Sequence, residues 1–256
     1  MLSYRWGVAA IVLTLFGWCS GCNFRLAKKD LLVVFLLSLL RATTSFSLLI
    51  AYQNIATGVA STIHFMYPLA VALAMMFFFR EKKSLLVILA VLMSLLGAAL
   101  LSLGELEAKS GNTMVGLVAA CVSVFSYAGY IVGVRTTRAV QINSTALTCY
   151  VMGLGTIFYL IGAYCTSGLQ LVSDGYTWLI ILGLALPATA ISNITLVQAI
   201  KYAGPTLTSI LGAMEPLTAV VIGVFVFKEL FTVNSAVGII LILLAVSIVV
   251  FRRQKS

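Results

Sequence analysis

The sequence predicts an all-α membrane protein of about nine transmembrane helices in two inverted-topology repeats, four in the first copy and five in the second. Three observations carry this. Of the 256 residues, 62% are hydrophobic and only 9% charged, with a mean hydropathy of +1.13, far more apolar than a soluble domain of that length. The apolar residues gather in runs of roughly the 20 residues that a helix needs to cross the hydrocarbon. The chain also repeats itself: Ala51–Glu81 (AYQNIATGVASTIHFMYPLAVALAMMFFFRE) aligns without a gap with Ala199–Glu229 (AIKYAGPTLTSILGAMEPLTAVVIGVFVFKE), a register of 148 residues.

The first run, Tyr4–Gly21, aligns in that register with Met152–Leu169, so it is a genuine span and not a signal peptide. The second, Leu31–Tyr52, carries Arg41 near its middle. The third, Thr57–Phe79, and the eighth, Pro205–Phe227, are the repeated segment, each with a proline half-way along (Pro68, Pro216) and a basic-acidic pair after it (Arg80-Glu81, Lys228-Glu229). Each proline removes a backbone donor and frees a carbonyl one turn earlier, which in a membrane must be satisfied by neighbours, water or ligand. Both helices are therefore expected to bend there. The remaining spans are Ser84–Leu103, Thr113–Val134, Ser144–Thr166, Tyr176–Ile200 and Thr232–Phe251. The connections are too short for another domain, and Gln53–Ala56 and Lys201–Gly204 are only tight turns. The expected division is 1–104 for the first repeat and 113–256 for the second, in one integral membrane domain.

A net charge of +9 would suggest nucleic acid for a soluble protein, but here the basic residues sit in short loops, as the positive-inside rule expects. With the C-terminus cytoplasmic, twelve Lys and Arg fall inside (Arg25, Lys28, Lys29, Arg80, Lys82, Lys83, Arg135, Arg138, Lys201, Arg252, Arg253, Lys255) and three outside (Arg5, Lys109, Lys228), with Glu105, Glu107, Asp174 and Glu229 also outside. Nine spans then place the N-terminus outside. The matched third and eighth spans are five apart, so they cross in opposite directions, and the first copy lacks its opening helix. The partners implied are a small solute and the lipid bilayer, not nucleic acid, with a homodimer as the candidate assembly.

Charge at bilayer depth costs about 3 kcal/mol on insertion scales and usually faces a cavity or a partner. Arg41 and Glu215 are the two such residues, at comparable depth and of opposite sign. Residues three and four apart share a helix face, so Thr208, Gly212, Glu215 and Pro216 form a stripe that the register maps onto Ala60, His64, Tyr67 and Pro68. The same offset takes Arg41, Thr44 and Ser45 to Thr189, Ser192 and Asn193. Inverted symmetry would bring these stripes around one axis, making Arg41, Ser45, His64, Tyr67, Ser192, Asn193, Gly212 and Glu215 the candidate solute site. Plainer readings stand beside this one. Arg41 and Glu215 could neutralise each other, His64 could be a packing residue and not a proton carrier, and Tyr67, Tyr127 and Tyr130 could be packing and not an aromatic wall. Gly97, Gly116, Gly133, Gly153, Gly155 and Gly238 read as sites of close helix approach, and Arg80-Glu81 and Lys228-Glu229 as interface anchors. Cys19 and Cys22 form a CxxC, but with no second pair or nearby histidine it reads as packing, and the five cysteines as free thiols. No enzyme motif, cofactor site or metal site is expected: the one Gly-rich patch lacks the lysine-serine end of a phosphate loop.

Tyr4-Arg5 near the start of the first span, the turns AYQNIATGVAS and AIKYAGPTLTS into small-residue helices, Glu215-Pro216, and the acidic Glu81 and Glu229 together resemble the EamA branch of the drug/metabolite transporter superfamily. The resemblance covers nearly the whole chain except the family's first helix. It implies a secondary transporter, an exporter, of a small metabolite such as an amino acid or related amphipathic compound in the cell membrane, working by alternating access. Against it stand a non-transporting or partner-dependent membrane protein and a flippase for lipids or lipid-linked sugars.

Overall fold

The structure, a computed structural model, describes residues 2–81, 85–102, 111–166, 172, 174–212, 214–225 and 232–254. Lys82, Lys83, Glu105, Glu107, Lys109, Lys228, Glu229 and Lys255 lie outside the described residues, so the expectations placed on them stand untouched. All-α architecture is what the described residues have. In chain order the helices are α1 (Leu2–Cys19), α2 (Lys28–Asn54), α3 (Thr57–His64), α4 (Tyr67–Phe78), α5 (Leu85–Ser102), α6 (Thr113–Thr136), α7 (Ser144–Thr166), α8 (Gly175–Ala185), α9 (Ser192–Ala203), α10 (Pro205–Leu211), α11 (Met214–Phe225) and α12 (Val233–Gln254). All nine anticipated spans fall on them, the third as α3 and α4, the seventh as α8 and α9, and the eighth as α10 and α11. Among the described residues, six stretches are long and apolar enough to cross a membrane, and α5 and α12 carry shorter apolar stretches, Leu85–Leu100 and Ala236–Ile248.

The helices gather into two compact units, Met1–Ala42 with Gly133–Ala203 and Thr43–Val132 with Gly204–Ser256. These do not follow the repeat boundary; each unit draws on both copies. In the first unit α1 lies along α7, and in the second α5 lies along α12. Both are pairings of a helix with its own repeat equivalent.

Within the first unit, Trp6, 1% exposed, holds α1 to α7. Its ring lies where a Cβ on Gly155 would come within 2.3 Å, so the approach needs glycine there. The Tyr159 ring meets Trp6 edge-on at 5.1 Å, and its hydroxyl donates to the Ala42 carbonyl at 2.9 Å. At the ends of the helices the basic turn residues are tied down: Arg138 pairs with Asp30 at 2.8 Å, Arg135 donates to the Lys201 carbonyl at 2.5 Å, and the Lys201 ammonium donates to the Ile142 carbonyl. Asp174 caps α8 by accepting from the Thr177 backbone N–H at 2.9 Å. That bond, with those from the Thr177 hydroxyl and the Tyr176 backbone, holds its carboxyl below the usual carboxylate range.

Within the second unit, small residues let α5 and α12 touch. Ala90 and Ala245 are fully buried, and a Cβ on Gly97 would lie 2.7 Å from the Gly238 carbonyl oxygen. The register matches Ala90 to Gly238 and Gly97 to Ala245, so one close approach and its symmetry mate form the seam. Gly97→Leu is expected to pry it open, lowering stability by about 1–3 kcal/mol or more, which a thermal melt of the detergent-solubilised protein measures; a melt equal to the parent's would mean that the seam is not a packing contact. Gly116, against Ile55 at 2.5 Å in this unit, and Gly133, against Leu37 at 2.8 Å in the first, are close approaches of the same kind. Gly153 is not one: no atom lies within 4 Å of its would-be Cβ, which corrects the reading from sequence.

The proline sites are breaks, sharper than bends. In the first copy the ladder stops at His64, with Phe65 donating to Ser61 and Met66 to Ile63, and restarts at Tyr67 with Pro68 in its first turn. In the second copy it stops at Leu211 and restarts at Met214, within one residue of the equivalent register. Both prolines thus occupy the first turn of a new helix, where a missing N–H costs no ladder bond, and the Gly212 carbonyl, one turn before Pro216, accepts from the Glu215 N–H at 3.0 Å. The turn that leads into α10 uses Gly204 at φ +86°, a conformation that favours glycine.

Candidate functional site

The anticipated site residues divide between the two units, and each cluster has its own chemistry. Arg41, Ser192 and Asn193 belong to the first unit; Ser45, His64, Tyr67, Gly212 and Glu215 belong to the second.

In the first unit the seventh span is interrupted by a π-helical turn, Leu186–Ile191, with Pro187 at its start. Pro187 cannot donate to the backbone, and the widened turn lets the Thr189 hydroxyl bond the Leu184 carbonyl five residues back at 2.9 Å. One turn on, the Asn193 side-chain nitrogen donates to the Thr189 carbonyl at 2.7 Å. Its oxygen accepts from Arg41 Nε at 3.2 Å and Nη2 at 3.1 Å. The carbonyl can only accept and the guanidinium can only donate, so the amide has one possible orientation. Arg41 also lies over the Trp6 ring, 5.8 Å from its centroid.

The π turn explains a departure from the repeat register. Thr44 is buried and donates to Ser126 Oγ at 3.1 Å, whereas its equivalent Ser192 is exposed and bonds its own helix at the Ala188 carbonyl, 2.8 Å away. The buried position in α9 belongs to Asn193, one residue later. A π turn accommodates one extra residue and rotates everything after it. Sequence offset alone therefore does not carry the difference in burial between Thr44 and Ser192. Ser45 is half-buried.

The second unit builds an aromatic cluster at the first break. Tyr67, 2% exposed, and Tyr127, 7% exposed, meet edge to face at 4.6 Å. The His64 ring stacks on Tyr127 at 5.5 Å and 23° and lies 5.5 Å from Tyr67. His64 Nδ1 is 2.9 Å from Ser123 Oγ, and Ser123 spends its one hydroxyl proton on the Ala120 carbonyl at 2.6 Å. Nδ1 must then carry a proton and donate it, an assignment made from the hydrogen-bond pattern, which puts the lone pair of a neutral ring on Nε2. Tyr67 reaches across to the second copy: its hydroxyl stands 1.7 Å from where a Cβ on Gly212 would be. The two breaks therefore touch, with glycine admitting the tyrosine. Glu215, the repeat equivalent of buried Tyr67, is exposed on the first turn of α11.

Several residues were not singled out from sequence. Arg5, which the sequence counts among the outside charges and which belongs to the Tyr4-Arg5 motif, is half-buried, and its Nε is buried without a hydrogen-bond partner among the described residues. Trp6, Tyr159, Ser123 and Pro187 gave no signal except, for Pro187, a proline inside an apolar run. Glu81 does more than anchor: its carboxylate accepts from the Thr206 hydroxyl at 2.6 Å, after Arg80 turns the chain at φ 54°, where residues with a side chain are uncommon. The cysteines are free thiols, and among the described residues no cluster of three His, Cys, Asp or Glu could hold a metal ion.

Comparison with known proteins gives a consistent picture. The EamA-like transporter family matches residues 1–103 and 114–251. A solved crystal structure, described only as that of a protein, superposes with a TM-score of 0.83 at 17% identity, covering 100% of this chain and 88% of that one. At that identity the likeness establishes the fold. No curated protein matches.

Proposed function

Because the chain belongs to the EamA-like transporter family, and is thus a multi-pass membrane transporter of the drug/metabolite type, we propose that it is a secondary exporter. Its solute is a small metabolite such as an amino acid or related amphipathic compound, moved by alternating access. The observation that carries this reading is the paired interruption. Both copies of the repeat break their helix within one residue of the same register, at His64–Tyr67 and Leu211–Met214, and polar side chains stand at both breaks. Irregular backbone at membrane depth is tolerated where it lines a solvated path or is buried in protein. The charge bias of the loops supports a cytoplasmic C-terminus.

The test is uptake of a labelled solute panel (amino acids, their amides, small carboxylates) into proteoliposomes holding the full chain under imposed solute or proton gradients. Saturable flux for at least one member is expected. Flux no higher than in protein-free liposomes for every member would leave the non-transporting or partner-dependent reading in its place.

A further inference from the structure

We propose that the basic end of the first unit is a docking surface for an anionic phospholipid, with Arg135 and Lys201 holding its phosphate and Arg25, Lys28 and Lys29 supplying the surrounding positive field. The proposal goes beyond the transport reading and does not depend on it.

Four contacts tie three connections of this unit into one surface. Arg138, just after α6, pairs with Asp30 in the first turn of α2 at 2.8 Å. Arg135, near the end of α6, donates through Nη1 to the Lys201 carbonyl, near the end of α9, at 2.5 Å. The Lys201 ammonium in turn donates to the Ile142 carbonyl, just before α7. The Tyr150 hydroxyl of α7 donates to the Phe24 carbonyl at 2.6 Å, which holds the α1–α2 connection to the same end. Arg25, Lys28, Lys29, Arg135, Arg138 and Lys201 therefore gather at one end of the unit. Its carboxylates answer only one of them. Asp30 is taken by Arg138, and Asp174 caps α8 at the opposite end of the seventh span. Arg135 and Lys201 meet main-chain carbonyls, which accept hydrogen bonds but carry no net charge. Lys28 and Lys29 are exposed, with no hydrogen bond or ion pair among the described residues.

The apolar surroundings of these cations favour a lipid over a soluble anion. Trp18, 78% exposed, and Tyr202, 82% exposed, stand at the same helix ends, and such rings settle at headgroup level in a bilayer. Leu31 and Leu32, which follow the two lysines in the first turns of α2, are exposed as well, so the cations border a face suited to acyl chains. A phosphodiester offers two oxygens to the paired donors of a guanidinium. Net charge then selects among phospholipids: fixed cations attract a lipid whose only charge is its phosphate, whereas a zwitterionic headgroup brings a cation of its own into the same field.

Purified full-length protein in detergent micelles is melted at constant ionic strength with increasing dioleoyl phosphatidylglycerol, with dioleoyl phosphatidylcholine, and with glycerol 3-phosphate as the headgroup without its chains. Wild type is expected to gain about 5 °C, saturably, with phosphatidylglycerol, and to gain little with the other two. Lys28→Gln with Lys29→Gln removes two charges that make no bond within the unit, so the melt without lipid should stay at the parent value while the half-saturating lipid fraction rises about tenfold. Lys28→Arg with Lys29→Arg should respond as wild type. Arg135→Gln should lose most of the gain. Arg252→Gln with Arg253→Gln, which removes two charges from the other unit, should keep the response. An equal gain with phosphatidylcholine, an unchanged response in the Lys28→Gln, Lys29→Gln protein, or an equal loss in the Arg252→Gln, Arg253→Gln protein would overturn the surface, the last by showing that only total charge matters. A gain with glycerol 3-phosphate as large as with phosphatidylglycerol would overturn the lipid as its occupant.

Discussion

Gly212→Ala is expected to abolish transport while leaving the helices formed. The hydroxyl of Tyr67 stands 1.7 Å, and its Cζ 3.0 Å, from where the new Cβ would be, well inside ordinary van der Waals contact. Tyr67 cannot simply turn away, because it is 2% exposed and boxed by Tyr127 at 4.6 Å and His64 at 5.5 Å. A single methyl must therefore push the tyrosine, its two ring neighbours and the His64–Ser123 hydrogen bond together. Overpacking of this kind costs about 1–3 kcal/mol, and the displaced groups are those at the break. Tyr67→Phe in the Gly212→Ala background removes the clashing oxygen and should recover part of the stability, giving a coupling of about 1 kcal/mol or more in a double-mutant cycle. Melting temperature and solute flux of the four proteins check this. A Gly212→Ala variant that melts and transports like wild type would mean that the two breaks do not touch in the working protein.

This contact also marks where the sequence could be read and where it could not. Spans, their order and the interruptions at Pro68 and Pro216 were legible because they rest on composition, on apolar run length and on proline chemistry, all local properties of the chain; the π turn at Pro187 was not. The 148-residue register added which helices are equivalent. It could not say that equivalent helices would pack on each other, as α1 does on α7 and α5 on α12, nor that the compact units would cut across the repeats. The same limit governs the candidate site. Asn193 pairs with Arg41 because a π turn rotates α9 by one residue, and nothing in the offset between copies carries that rotation; Ser192, chosen by offset, is exposed instead. Arg5 was counted as a loop charge because it stands near the end of an apolar run. Its burial follows from the close approach of α1 and α7 at Gly155; the sequence marks that glycine as a close approach but not which helix or side chain meets it.

Glu215→Gln carries the second large expected effect, on mechanism and not on folding. Among the anticipated spans Glu215 supplies the only carboxylate, as Arg41 supplies the only mid-span cation. It sits on the first turn of α11, immediately after the break, and is exposed there. Glutamine keeps its size and hydrogen-bonding capacity and removes only its charge and its ability to exchange a proton. Because the position is exposed, the melting temperature should move little. Solute flux should fall by about tenfold or more, or persist while losing its response to an imposed pH gradient, which would identify Glu215 as the coupling group. Arg41→Lys makes a graded comparison. The guanidinium donates to Asn193 through both Nε and Nη2 and lies over Trp6. A lysine ammonium keeps the charge but gives up the fork and the planar stack, so transport should weaken without vanishing. The solute's half-saturation concentration should rise by roughly tenfold or more. Concentration-dependent flux read with and without a pH gradient distinguishes the two roles, since a binding group moves half-saturation and a coupling group moves the gradient dependence. If both variants fold and transport as wild type does, neither charge belongs to the solute path.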